Sequence, residues 1–198
     1  MELQNFKKII EFYKMLPGVG EKTAERFAFS MLKMSKEQLN EFSKIVSNLD
    51  EYIMTCPNCG CLIENNKCLY CDTEKKRLNT ICVVENQKNV FTFEKLGFNN
   101  FKYHVLGGLI SPINGVNPSD INIISLVNRI KNEKPKEIII ALKSGVEAGT
   151  TALYLKKILS NTDVKITQIA QGIPIGLDME YLDNLTLELA LENRGELE

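Results

Sequence analysis

Residues 55–73 cannot order themselves by burying a core, and they hold five of the chain's six cysteines. The segment carries Cys56-Pro57-Asn58-Cys59 and Cys68-Leu69-Tyr70-Cys71, two C-x-x-C pairs eight residues apart. Each pair can offer two thiolates from one turn, and two such turns complete a tetrahedron around Zn²⁺. Four thiolate ligands leave no open position for water, so the expected role is structural, with the ion supplying folding free energy. A thioredoxin-like redox pair is the competing use of C-x-x-C, and two paired motifs on one coreless loop fit it poorly. Cys61 could replace Cys59 as a ligand, although the C-x-x-C spacing favours Cys59. Cys82 lies inside an apolar run and reads as a core residue.

Residues 1–54 read as all-helical. Phe6, Ile9, Ile10 and Tyr13 recur at helical spacing. Leu16-Pro17-Gly18-Val19-Gly20 then interrupts the helix, because Pro and Gly cannot continue it. Ala24, Phe27, Ala28, Met31 and Leu32 mark one face of a second helix. Ser35-Lys36-Glu37-Gln38 predicts a capping box opening a third, which carries Leu39, Phe42, Ile45, Val46, Leu49 and Ile53. The glycines allow a tight turn and close approach to a partner. The second helix begins with free N–H groups, which suit an anion. Lys22 on its first turn and Arg26 one turn later would meet a phosphate there, with Leu16, Val19 and Ala24 packing the hairpin. This is the helix-hairpin-helix way of gripping a DNA backbone without reading bases. An ordinary αα turn is the alternative.

After the cysteines the pattern becomes α/β. Ile81-Cys82-Val83-Val84 and Tyr103-His104-Val105-Leu106 are short buried-strand runs, and Ile138–Leu142 is a third. Helices are expected at 119–132, with Ile123, Val127 and Ile130 inward, and at about 149–160. A strand follows at 164–170. Strands alternating with helices imply a mostly parallel sheet. The tail from Asp178 to Asn193 is amphipathic again. The fold class is therefore α+β and multidomain: a helical hairpin domain at 1–54, a four-cysteine zinc finger at 55–73, an α/β domain at 78–170 and a C-terminal segment at 171–198.

The net charge of −1 and pI near 6.0 give no global sign of a nucleic-acid binder. The distribution is asymmetric: residues 1–33 hold six Lys/Arg against four Asp/Glu, and residues 163–198 hold two against eight. The N-terminal end can meet phosphate; the C-terminal end cannot. No apolar run approaches the ~20 residues of a membrane span. The N-terminus lacks the apolar core of a secretory signal, so a cytoplasmic location is expected. In that compartment the cysteines stay reduced.

Glu85 ends the first strand of the α/β part, where parallel sheets place functional groups. Mg²⁺-dependent phosphoryl transfer would need further carboxylates beside it. No Asp-x-Asp occurs in the chain, and Glu147 is a lone candidate. Asp178, Glu180 and Asp183 suit the first turn of a helix. His104, the only histidine, sits within a strand-like run and reads as a core or edge residue. A catalytic set is therefore not expected.

The order of hairpin, four-cysteine loop and acidic α/β module resembles the bacterial RecR family of recombination mediators. The resemblance rests on Leu16-Pro17-Gly18-Val19-Gly20 with Lys22 and Arg26, and on Ile81–Glu85. It continues in Tyr103–Gly108, Ile110-Ser111-Pro112 with Gly115, Gly172–Gly176 and Asp178–Asp183. It implies a Toprim domain without nuclease or primase activity. It also implies dimers pairing into a ring-like tetrameric clamp through the hairpin and the C-terminal segment. By the same resemblance the chain binds RecO and RecF and helps place RecA on single-stranded DNA. Lys22 and Arg26 would contact DNA; Glu85 and Glu147 would belong to the surface that partners use. Two positions depart from the family's habit. Glu147-Ala148-Gly149-Thr150-Thr151 stands where Glu-Gly-Glu-Ala-Thr is usual, and Gln171 stands where Arg or His is usual.

Three functions from different classes are thus set against one another. The first is a non-enzymatic DNA clamp subunit at the nucleoid. The others are a Mg²⁺-dependent Toprim nuclease or primase, and a scaffold that never touches DNA.

Overall fold

Hydrophobic spacing and helix breakers shape the N-terminal part of the computed structural model, which describes residues 3–71, 79–97 and 101–195. Helix α1 (Gln4–Lys14) and helix α2 (Glu21–Met31) pack on each other through Ile10, Ala24 and Ala28, flanked by Phe6, Ile9, Tyr13 and Val19. The two alanines let the helix backbones approach. Gly18, at φ +78°, makes the turn between them, a conformation that a side chain disfavours. Leu16, expected in the hairpin core, is instead exposed, as are Phe12, Met15 and Leu32.

The expected capping box opens helix α3 (Lys36–Ser47): Ser35 accepts from the Gln38 amide, and the Gln38 side chain accepts from that of Ser35. The helix stops at Asn48 instead of running on to Ile53. A one-turn helix α4 (Leu49–Tyr52) follows, and Ile53 then opens a strand. Helix α3 buries none of its residues, so Phe42, Ile45 and Val46 form an exposed apolar face. Residues 1–52 form one structural unit and residues 53–198 a second.

The second unit begins with the antiparallel pair β1 (Ile53–Thr55) and β2 (Leu62–Glu64), which brackets the first cysteine pair. Its body is a four-stranded, wholly parallel sheet. In chain order the elements are β3 (Thr80–Val84), α5 (Gln87–Lys95), β4 (Lys102–Val105), α6 (Ile123–Glu133), β5 (Glu137–Ala141), α7 (Val146–Ile158) and β6 (Lys165–Gln168). The strand order across the sheet is β4-β3-β5-β6. Alternate residues of β3 serve opposite layers, as the pleat requires. Ile81 and Val83 join Ile138 and Ile140 under α6 and α7; Cys82 and Val84 join Tyr103, Val105 and Val90 on the other face. Helix α5, which the apolar pattern does not reveal, starts at a reciprocal Asn86–Asn89 cap. The C-terminal segment ends in helix α8 (Asn184–Glu192), capped by Asp183.

Candidate metal centre and nucleic-acid interface

The β1–β2 turn and the loop after β2 bring Cys56, Cys59, Cys68 and Cys71 together. Their four sulfurs lie within 4.8 Å of one another. Cys56 and Cys71 are 3.9 Å apart, and Cys59 and Cys68 are 3.5 Å apart. Sulfurs at ~2.3 Å from a tetrahedral ion stand roughly 3.8 Å apart, so the donor set fits a divalent metal of zinc's size. Cys61 is buried but lies outside this quartet, with its thiol against Cys59. Contact among the sulfurs raises the Cys59 thiol through Cys61 and then Cys68, raises that of Cys71 through Cys59 and then Cys68, and lowers that of Cys68 through Cys59 and then Cys71. Four thiolates can coexist at these distances only around a cation.

The knuckle is fastened to the sheet. The Val105 amide donates to the Cys59 carbonyl at 2.8 Å, and the Gln87 side chain bridges the Gly60 carbonyl and the Leu62 amide. Gly60 sits at φ +73°, and a Cβ there would lie 2.5 Å from the Val105 carbonyl oxygen. Tyr70, between the last two cysteines, stacks edge-on against Tyr103 of β4. The Val105 amide points out of the sheet edge, while the Leu106 amide donates inward to the Val84 carbonyl. The knuckle thus covers the β4 edge, which would otherwise be open for pairing.

At the other candidate interface, Gly20 is extended and no side chain caps α2. Its first amides are available to an outside acceptor. Lys22 and Arg26 are both exposed on successive turns of this helix, with the Arg26 guanidinium 5.8 Å from the Phe27 ring centre. Glu21 also stands in the first turn, but Lys14 pairs with it at 2.6 Å. That bond to Glu21, and a second to Glu11, raise the Lys14 pKa. Lys14, shared between Glu11 and Glu21, therefore offsets part of the acidic charge at the helix start.

The acidic candidates are held separately. Glu85 follows β3 and pairs with Lys143 at 3.3 Å. Glu147, in the first turn of α7, accepts from the Ser111 hydroxyl and, at 3.1 Å, from the Asn114 amide. Among the described residues the cysteine quartet is the one group of three or more Cys, His, Asp or Glu placed to share an ion. His104 is fully buried, with Nε2 2.8 Å from the Asn122 carbonyl oxygen.

Arg129 is the polar residue that spacing alone does not reveal. It is 1% exposed within α6, whose buried face runs through Ile123, Leu126 and Ile130, with Val127 partly buried against the same core as expected. Its Nε donates to Glu133 and its Nη1 to the Tyr103 carbonyl, each at 2.6 Å.

Comparison with known proteins matches this architecture piece by piece. Residues 6–49 match the family described as RecR, helix-hairpin-helix; residues 79–170 match the Toprim domain; residues 172–194 match RecR, C-terminal. The cysteine segment lies between the first two matches. The chain is 38% identical over 190 residues to Recombination protein RecR of Staphylococcus haemolyticus (strain JCSC1435), covering 96% of both chains. The same identity and coverage hold for Recombination protein RecR of Staphylococcus aureus (strain Newman). With the hairpin, the cysteine quartet and the parallel sheet in place, and with similarity spanning nearly its whole length, the chain belongs to the RecR family.

Proposed function

We propose that this chain is a non-enzymatic DNA-holding subunit of recombinational repair. It works in the cytoplasm, at the nucleoid, as a homo-oligomer of dimers or tetramers. With RecO and RecF it helps place RecA on single-stranded DNA. The observation that carries this reading is the uncapped start of α2 with Lys22 and Arg26 exposed on successive turns. It occurs in a chain 38% identical along 96% of its length to proteins named for recombination.

The mechanism is positional. First-turn amides, Lys22 and Arg26 take phosphate oxygens of single or double strands and read no base edge. The Lys14–Glu21 pair weakens the repulsion that a bare acid would exert on that phosphate. One hairpin holds weakly; several copies on one DNA multiply the hold through effective concentration. The exposed apolar face of α3, and Ile175, Tyr181 and Leu191 of the C-terminal segment, supply surface for chain–chain contact. Cys56, Cys59, Cys68 and Cys71 would hold Zn²⁺ as a structural staple, their four thiolates leaving no position for substrate. Glu85 and Glu147 offer acidic charge to partner proteins. Their anchoring by Lys143, Ser111 and Asn114 supports a fixed recognition surface over a Mg²⁺ cradle.

Affinity for DNA of unrelated sequences should be similar and should fall steeply with salt. Lys22→Ala/Arg26→Ala should abolish a gel shift at moderate salt. Near threshold it should lower the salt slope by roughly 2 for each hairpin engaged. A shift that the double variant leaves unchanged would put the DNA contact elsewhere on the chain, and no shift from the parent protein would favour a scaffold that never touches DNA. Labelled DNA incubated with the protein and Mg²⁺ should stay intact; cleavage that Glu85→Gln abolishes would establish the nuclease instead.

A further inference from the structure

The outward edge of β4 carries two neighbours that the family assignment does not connect. Residues 103 and 105 point the same way from the sheet, two positions apart. Val105 N–H holds the knuckle through the Cys59 carbonyl, and the Tyr103 carbonyl holds Arg129. Tyr103 and the cysteines share one apolar cluster, and Tyr70 of the knuckle stacks on Tyr103. Arg129 therefore reaches the same strand edge that the cysteine knuckle covers.

Its charge is only partly answered by its own neighbours. Glu133 accepts from Arg129 at 2.6 Å and also from Lys102 at 2.7 Å. The trio Lys102, Glu133 and Arg129 thus keeps one positive charge in excess. Nη2 of Arg129 is buried with no hydrogen-bond partner among the described residues. A buried guanidinium with a free N–H and an unanswered charge needs an anion nearby. A divalent ion in four thiolates supplies one, since it carries two negative charges in excess. We infer that Arg129 is the counter-cation of the metal–thiolate centre, with Nη2 facing its sulfurs, and that it sets how tightly the metal is held.

Electrostatics run the same way. Burial opposes the charge on Arg129, yet the bond to Glu133 and the proximity of Cys71 and Cys59 raise its pKa. Helix α6 and the knuckle would then be joined through charge as well as packing. The partners that orient a metal's ligands commonly matter 10–100-fold for affinity, by rough precedent.

This inference rests on the reading of the quartet as a metal site, and the experiment separates the two. Full-length protein is purified with Zn²⁺, or exchanged to Co²⁺, and metal transfer to a chromophoric chelator is followed. Arg129→Met should release metal roughly 10–100-fold faster, and its sulfur-to-cobalt charge-transfer band should move to longer wavelength. Arg129→Lys should restore much of both. Glu133→Gln supplies the decisive sign, because it keeps an acceptor for Arg129 while removing the competing negative charge. It should slow release and move the band to shorter wavelength. If Arg129 merely braces the fold, Glu133→Gln will speed release and leave the band in place, and the inference is overturned. Metal release from Arg129→Met at the parent rate would overturn it equally. Should Arg129→Met not fold, the Glu133→Gln sign still decides. A parent protein that binds neither ion would instead overturn the metal reading itself.

Discussion

His104 and Gly60 show how single positions are fixed by surroundings that lie far away in sequence. Burial pushes the His104 pKa down to about 4, against the Asn122 carbonyl, which favours the proton. The unfolded chain takes up that proton first, near pH 6.5. Stability from this residue is therefore complete above pH 6.5 and is lost as pH falls from 6.5 toward 4. Between pH 7 and 5 the loss should be about 2 kcal/mol. Urea unfolding of the parent and of His104→Gln at both values checks this: the parent should lose that much more than the variant, and parallel losses would contradict it. No other histidine is present to blur the comparison. At Gly60 the left-handed backbone alone should make Gly60→Ala unfavourable by about 1–3 kcal/mol. The approach to the Val105 carbonyl adds to that. Thermal melting together with metal content tests it, and both should fall.

Between elements, the telling relation is the knuckle against the β4 edge. If the metal orders the knuckle, chelation should free the Val105 amide, whose acceptor is Cys59, and spare the Leu106 amide, whose acceptor is Val84. Hydrogen exchange should then show protection lost at Val105 and retained at Leu106; loss at both would mean that the metal holds the whole sheet. The knuckle itself is legible in the sequence because metal spacing is local: Cys56, Cys59, Cys68 and Cys71 announce themselves within sixteen residues. The strands are legible for the same reason, as short apolar runs. Helix α5 is not, since its start is polar and its cap is an Asn86–Asn89 exchange instead of the Ser/Thr–Glu/Gln pattern. Arg129 is hidden for a different reason. Its burial depends on Tyr103 and Glu133, and no helical period shows that a strand carbonyl waits for a guanidinium. Leu16 reads as core from its hydrophobicity, yet the small α1–α2 interface closes without it.

For the whole molecule, the global charge of −1 argues against DNA binding by any large basic field. On the proposed reading the hold comes from a few cations repeated in several copies. The apolar faces left open on α3 and at the C-terminal end are the matching structural fact, because a helix that buries nothing in its own chain is short of a partner. On this reading an assembly grips DNA, and a single subunit does not. Light scattering of the full-length protein, alone and with a DNA duplex, tests it most directly. The expected mass is at least twice that of one 22.4 kDa chain, with several copies retained on each DNA. A 22.4 kDa monomer under both conditions would contradict it.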